Sequence, residues 1–113
     1  MKSKLKEFKA FSLRIIVVRV GTSGFSYEDW KGVFYPPHLK SNLYLSFYSN
    51  FFDVVEIDST YYNIPNPKVF EALSKKVPPN FRFSIKVPSN FTHKMENYEE
   101  SLKSFRRALQ PIR

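Results

Sequence analysis

The sequence contains no cysteine, only three glycines and one tryptophan, and fewer acidic than basic residues. The absence of cysteine excludes disulfide bonds, thiolate zinc sites and cysteine nucleophiles. Long apolar runs are missing as well, because the longest aliphatic run is Ile15 to Val18, flanked by Arg14 and Arg19. This run is too short for a membrane span, and no small-residue cleavage site follows it. We therefore expect a soluble, cytoplasmic protein without a membrane partner.

Aromatic residues are abundant, with 12 Phe and 7 Tyr among 113 residues. A chain of this length corresponds to about one domain, and these side chains are sufficient for a hydrophobic core. The net charge of +8 is uneven: residues 1–19 carry +5, residues 20–62 carry −3 and residues 63–113 carry +6. Two interpretations stay open, namely a nucleic acid or other polyanionic partner, and basic side chains that are only solvated.

The chain divides into three strand and helix units. Short runs rich in β-branched or aromatic residues predict strands at residues 15–20, 54–58 and 81–87. Helices are predicted after Ser41, from the Asn66-Pro67 cap to Pro78, and in a last segment that places Tyr98, Leu102, Phe105 and Leu109 on one face and ends near Pro111. Alternating strands and helices predict a parallel sheet. Residues 1–12 are interpreted as a basic arm and residues 13–113 as the domain.

The second and third predicted strands each have one apolar and one polar face. Val55 and Ile57 alternate with Glu56 and Asp58, and the third strand carries Lys86 on its polar side. Because helices must cover the apolar faces, the polar faces should point into a barrel or toward an uncovered surface. Isolated buried charges are costly. We therefore expect Glu56, Asp58 and Lys86 to neutralise one another, together with Arg19.

A glycine-bracketed, hydroxyl-rich segment follows the first predicted strand and runs as a loop from Gly21 to about Lys40. In α/β proteins the carboxyl ends of the strands are where ligands bind, and long loops in compact domains are commonly functional. Several motifs in and after this loop resemble the YecE-like family, a domain of unknown function. They are Gly21-Thr22-Ser23-Gly24-Phe25-Ser26-Tyr27, Trp30, Phe34-Tyr35-Pro36, Val55-Glu56-Ile57-Asp58-Ser59-Thr60-Tyr61-Tyr62, Pro65, Phe81-Arg82-Phe83-Ser84-Ile85-Lys86 and Thr92-His93.

The resemblance implies a TIM-type (β/α) barrel, with two mild departures: Asp58 stands where asparagine is common, and Tyr61 where phenylalanine is common. Such a domain runs to well over 200 residues. We therefore expect an α/β fold that is an incomplete (β/α) TIM-type barrel of about three parallel strand and helix units. Its open sheet edges should favour self-association, and a truncated domain of this kind is expected to lack independent activity.

The barrel geometry nominates two groups of site residues at the carboxyl ends of the strands. The catalytic candidates are Glu56, Asp58, Lys86 and His93, and the ligand-binding candidates are Thr22, Ser23, Tyr27, Trp30, Thr60 and Tyr62. The carboxyl pair suits acid and base work, or a divalent cation with His93 as a nitrogen ligand. It equally suits structural ion pairs. No metal site is assigned, and the cofactor is unknown.

Two active functions stay open beside the inactive fragment. One is an enzyme that acts on a small or phosphate-bearing substrate at the barrel mouth. The other is a nucleic-acid-binding protein.

Overall fold

The computed structural model describes residues 18–89 and 98–112. Strands β1 (Gly21–Ser23), β2 (Val54–Ile57) and β3 (Arg82–Ile85) form one parallel sheet in the order β1-β2-β3. The α-helices are α1 (Tyr44–Tyr48), α2 (Pro67–Ser74) and α3 (Tyr98–Leu109). Short 3-10 helices lie at Glu28–Trp30, Ser41–Leu43, Ser59–Tyr61 and Gln110–Ile112. An open parallel sheet with helices confirms the predicted incomplete (β/α) barrel.

The second and third helices lie where the sequence predicts them, except that α2 ends at Ser74, short of the predicted end at Pro78. Asn66 caps α2 by accepting a hydrogen bond from the Lys68 amide at 2.9 Å, and Pro67 occupies the first turn. The last helix, α3, ends at Leu109, close to the predicted end near Pro111, and buries Phe105 and Ala108. Ser41 does not cap α1, because it opens a 3-10 turn and α1 begins only at Tyr44.

The predicted first strand, residues 15–20, is wrong in its position. Residues 15–17 lie outside the described residues, and the paired strand starts at Gly21, inside the segment that was interpreted as a loop. A Cβ atom at Gly21 would lie 1.9 Å from the Val54 carbonyl oxygen, so only glycine allows the backbones to approach this closely. The glycine therefore marks strand pairing and not the exit from a strand.

The core is an aromatic cluster between the sheet and α1. Its fully buried members are Tyr35, Tyr44, Leu45, Tyr48 and Val55, with Phe81 almost fully buried beside them. The rings of Tyr35 and Tyr44 stack with centroids 4.2 Å apart. Burial raises the pKa of Tyr35 to about 12, and its hydroxyl donates to the Phe25 carbonyl. The loop after β1 is therefore tied to the core and is not structureless.

The Tyr48 hydroxyl joins the first two strands. It accepts a hydrogen bond from the Thr22 amide at 2.8 Å and donates to the Val54 carbonyl at 2.9 Å. The same oxygen lies 3.0 Å from the Thr22 hydroxyl. Because Tyr48 is fully buried, no water competes for these groups. A helix side chain therefore supplies part of the contact between β1 and β2.

Arg19 lies at the opposite end of the sheet from the predicted charge cluster. Its guanidinium is 3.3 Å from an Asp53 carboxylate oxygen and donates to the Asn80 carbonyl at 3.0 Å. Asp53 and Asn80 precede β2 and β3, respectively, so this is the amino-terminal end of the sheet. The expectation that Arg19 neutralises Glu56 and Asp58 is therefore wrong.

Within residues 18–89 and 98–112, no helix has the length and apolar character needed to cross a bilayer.

Replacing Tyr48 with phenylalanine should lower the free energy of unfolding by about 1–3 kcal/mol, because the Thr22 amide and the Val54 carbonyl would lose a buried partner. Urea denaturation followed by circular dichroism measures this change. Tyr62→Phe is the matched control: Tyr62 is 78% exposed, so the change should stay within about 0.5 kcal/mol. Equal effects of the two substitutions would contradict the bridging role of Tyr48.

The surface beside β1 should support self-association. Val18, Val20 and Phe51 are all more than half exposed and line one cavity of about 480 Å³, and apolar surface beside an open strand edge favours pairing with another chain. In light scattering after size exclusion, the double variant Val20→Lys, Phe51→Lys should move the mass toward the 13.4 kDa monomer. Val33→Lys, an exposed valine elsewhere, should not. A monomeric wild-type chain with a cooperative melt would contradict this prediction.

Candidate functional site

Strand register brings the predicted polar residues together at the carboxyl end of the sheet. Ser23 in β1 lies beside Glu56 in β2, and Glu56 lies beside Ser84 in β3. Asp58 and Lys86 each follow their strand closely, two residues after Glu56 and Ser84, and therefore belong to the same face. Val55, which directly precedes Glu56, is buried in the core instead. The predicted division into an apolar and a polar face is thus present.

Asp58 is the centre of this cluster. Its Oδ2 accepts a hydrogen bond from the Ser23 hydroxyl, and the Asp58 carboxyl interacts with the carboxyl of Glu56, two residues earlier in β2. The other oxygen, Oδ1, is inaccessible to solvent and has no partner among the described residues. The two carboxyl groups therefore form a close pair in which one oxygen lacks a donor.

The pair splits the acidities of its two members. A hydrogen bond to Asp58 and repulsion from its charge raise the pKa of Glu56, against the attraction of Lys86. The Ser23 hydroxyl and the contact with Glu56 lower the pKa of Asp58, helped by the Lys86 charge. Carboxyl groups with separated acidities are the usual arrangement for acid and base catalysis. The first proton taken up by the pair therefore goes to Glu56.

Lys86 supplies the positive charge of the cluster. Its ammonium nitrogen lies 5.2 Å from the centroid of the Tyr61 ring, a cation–π distance. Tyr61 is not among the predicted site residues, whereas its neighbour Tyr62 is. The 3-10 turn Ser59–Tyr61 directly after β2 places it there. A short turn after Asp58 was the signal that could have identified it.

A cavity of about 250 Å³ lies beside the carboxyl pair, lined by residues 24–27 and 56–59. Tyr27 is 43% exposed at its wall, and its hydroxyl donates to the Ser23 carbonyl. Gly24 has a positive φ of 78°, and a Cβ atom there would lie 2.5 Å from the Tyr27 hydroxyl. Glycine at this position thus permits both the loop conformation and the close approach of Tyr27.

Several predicted ligand-binding residues have other roles. The Thr22 hydroxyl donates to the Gly24 carbonyl and contacts Tyr48, so it faces the helix side of the sheet. Thr60 is fully buried and donates to the Lys86 carbonyl at 2.6 Å. Both hydroxyl groups therefore donate to the backbone around the site.

The remaining predicted residues are more distant from the pair. Trp30 is half-buried behind Tyr27, with ring centroids 4.9 Å apart, and packs on Phe34. Tyr62 is exposed. His93 lies outside the described residues, so its predicted role in the site stays a prediction. In the described part of the chain, no three His, Asp or Glu side chains come together as metal ligands.

Glu56→Gln and Asp58→Asn should change stability in opposite directions at pH 7. The pKa of Glu56 is raised on folding, so at pH 7 the folded state disfavours the ionised form of this carboxyl. The neutral amide introduced by Glu56→Gln removes this effect and should increase the melting temperature. Asp58 has a lowered pKa and stabilises the fold above its ordinary pKa of 3.8, so Asp58→Asn should decrease the midpoint. Both differences should shrink as pH falls below about 4. Thermal melts between pH 3 and 8 measure them.

Glu71→Gln is the control for these melts, because Glu71 is an exposed residue of α2 that pairs only with Lys75 in the described structure. Its effect should be small at every pH. Melting midpoints that fall equally for the Glu56 and Asp58 variants would contradict the split acidities.

Comparison with known proteins agrees with this fold and with the family resemblance. A solved DUF72 family protein from Thermotoga maritima MSB8 has a TM-score of 0.69 and 42% identity, and the match covers 84% of this chain and 39% of that protein. A DUF72 family protein from Enterococcus faecalis V583 has a TM-score of 0.66 and 28% identity, with 84% and 34% covered.

Among curated proteins, the UPF0759 protein YunF of Bacillus subtilis (strain 168) is 29% identical over 101 residues, which are 84% of this chain and 35% of that protein. The chain thus spans little more than a third of the length of its relatives. The profile of a family described as "Protein of unknown function DUF72" matches residues 19–113. The predicted resemblance to a family of unknown function is confirmed, and the chain belongs to the DUF72 family.

Proposed function

We propose that this chain carries the first part of a proton-transfer site in a DUF72 barrel domain, and that the complete domain is an enzyme acting on a small polar substrate. The carboxyl pair of Glu56 and Asp58 carries the proposal. The pair stands beside a cavity at the carboxyl ends of parallel strands, where enzymes with this architecture place their catalytic groups. Glu56 is the proposed acid and Asp58 its charged partner.

The charges of the cluster favour a neutral or cationic substrate. Two carboxyl groups line the cavity, and the Lys86 ammonium that attracts both of them is engaged with the Tyr61 ring. A phosphate group placed against the pair would meet like charge, so a phosphate-bearing substrate is the weaker alternative. Hydroxyl and amino groups can donate hydrogen bonds to both carboxyls. We therefore propose a small molecule that presents hydroxyl or amino groups.

This chain alone is proposed to bind such a molecule weakly and to have no independent activity. The relatives are more than twice as long as the matched region, and a barrel site takes residues from the ends of several strands. We also propose that the chain is YecE-like within the family and that the protein is cytoplasmic. Residues 1–12 are proposed to be a basic arm. His93 is retained as a candidate site residue.

Nucleic-acid binding is the second candidate. Lys103, Arg106 and Arg107 line one side of α3 around a shared cavity, at a spacing that places them on one helix face. Basic residues in this arrangement attract phosphates. A basic helix face is also an ordinary solvated surface, and it lies on a different element from the carboxyl pair. We therefore rank this candidate below the proton-transfer site.

A ligand screen by thermal shift tests the proposed site. Polyols, amines and inorganic phosphate are added to the wild-type chain and to Glu56→Gln and Lys86→Ala. A ligand at 100 times its Kd stabilises the fold by about 2.7 kcal/mol, which is measurable as an increased melting temperature. We expect polyols or amines to stabilise the wild type and Glu56→Gln to lose at least half of that shift.

Glu71→Gln and Lys75→Ala are the matched controls, since both residues lie on the exposed side of α2. They should keep the full shift. If Glu56→Gln and Lys86→Ala leave every ligand-induced shift unchanged, the site is not where we propose.

A further inference from the structure

The hydroxyl of Ser23 has one acceptor in the site, the Oδ2 atom of Asp58. Ser23 is the last residue of β1, and its register partner is Glu56 in β2. It therefore stands next to one carboxyl group in the sheet while donating to the other. The arrangement is asymmetric, because the hydroxyl stabilises the charged form of Asp58 only.

The Oδ1 atom of Asp58 is buried and has no donor among the described residues. A buried carboxylate oxygen without a hydrogen bond is unfavourable. The Glu56 and Asp58 carboxyls interact with each other, and a protonated carboxyl has one O–H donor. A proton on Glu56 would thus supply a donor to the Asp58 carboxyl.

We propose that Ser23 is a positioning residue that decides which carboxyl of the pair carries the proton. By donating to Oδ2 it keeps Asp58 as the charged acceptor, and it thereby leaves the proton of the pair on Glu56. This inference rests on the proposed function, because it assigns the acid and the charged partner within the same site. It goes further by giving a role to a residue that does not line the cavity.

Other titratable groups around the pair do not make this distinction. Lys86 attracts both carboxylates. The Tyr27 hydroxyl is directed to the Ser23 carbonyl, and Tyr61 lies beneath the Lys86 ammonium. On the other side of Glu56, Ser84 in β3 is an exposed serine with no hydrogen bond to either carboxyl in the described structure. The Ser23 bond is the asymmetric contact that acts on one member of the pair.

Carboxyl carbon titration by NMR tests the proposal without any ligand. In Ser23→Ala, the titration midpoint of Asp58 should rise and that of Glu56 should fall, because Asp58 loses the bond that favours its charged form. Ser23→Thr keeps a hydroxyl in the strand and should restore the wild-type order. Ser84→Ala, the serine on the opposite side of Glu56, should leave both midpoints in place.

Unchanged midpoints in Ser23→Ala, or equal shifts in Ser84→Ala, would overturn the proposal. So would a shift of both carboxyls in the same direction, which indicates a general change in solvation. Because the titration needs no substrate, a failure of the ligand screen would leave this result standing, and a failure here would leave a bound ligand unaffected.

Discussion

The Tyr48 hydroxyl is the contact on which the site depends. It stands between the Thr22 amide and the Val54 carbonyl, and it therefore fixes the end of β1 against β2 one residue before Ser23. Ser23 can reach Asp58 only while β1 keeps this register. The buried aromatic cluster that holds Tyr48 thus determines the geometry of polar groups on the other face of the sheet. Strand β1 thus links the aromatic core on one face of the sheet to the polar cluster on the other.

The sheet uses its two faces and its two ends for different tasks. Apolar residues of β2 and β3 face the helices, and Glu56 with its polar neighbours faces away from them. At the amino-terminal end Arg19 joins the segments before β2 and β3 through Asp53 and Asn80. At the carboxyl-terminal end the charges are incompletely paired, because one ammonium group faces two carboxyl groups. The two ends of the sheet therefore differ in how their charges are paired.

Sequence patterns predicted those features that depend on near neighbours in the chain. The Asn66-Pro67 cap and the alternation around Glu56 are local, and the structure has both of them. The predicted end of that helix at Pro78 is wrong, because α2 already ends at Ser74. The position of β1, the partner of Arg19 and the contact between Lys86 and Tyr61 depend on residues far apart in sequence. Helical spacing predicts only that Tyr48 packs in the core, so it does not predict the hydrogen bonds of the Tyr48 hydroxyl. Thr22 and Thr60 are predicted as ligand-binding residues because the sequence alone does not show whether a threonine hydroxyl is exposed or is bonded to the backbone.

The separation between the Arg19 contact and the carboxyl pair has a practical consequence for redesign. Residues 24–40 after β1 contribute no atom to the ion pair at the far end of the sheet, but a replacement loop would have to restore the core packing of Trp30, Phe34 and Tyr35. The half-exposed Arg19 pair contributes little to stability by itself, but it specifies the alignment of the segments that precede β2 and β3. Grafted binding loops could therefore be compared on one constant frame.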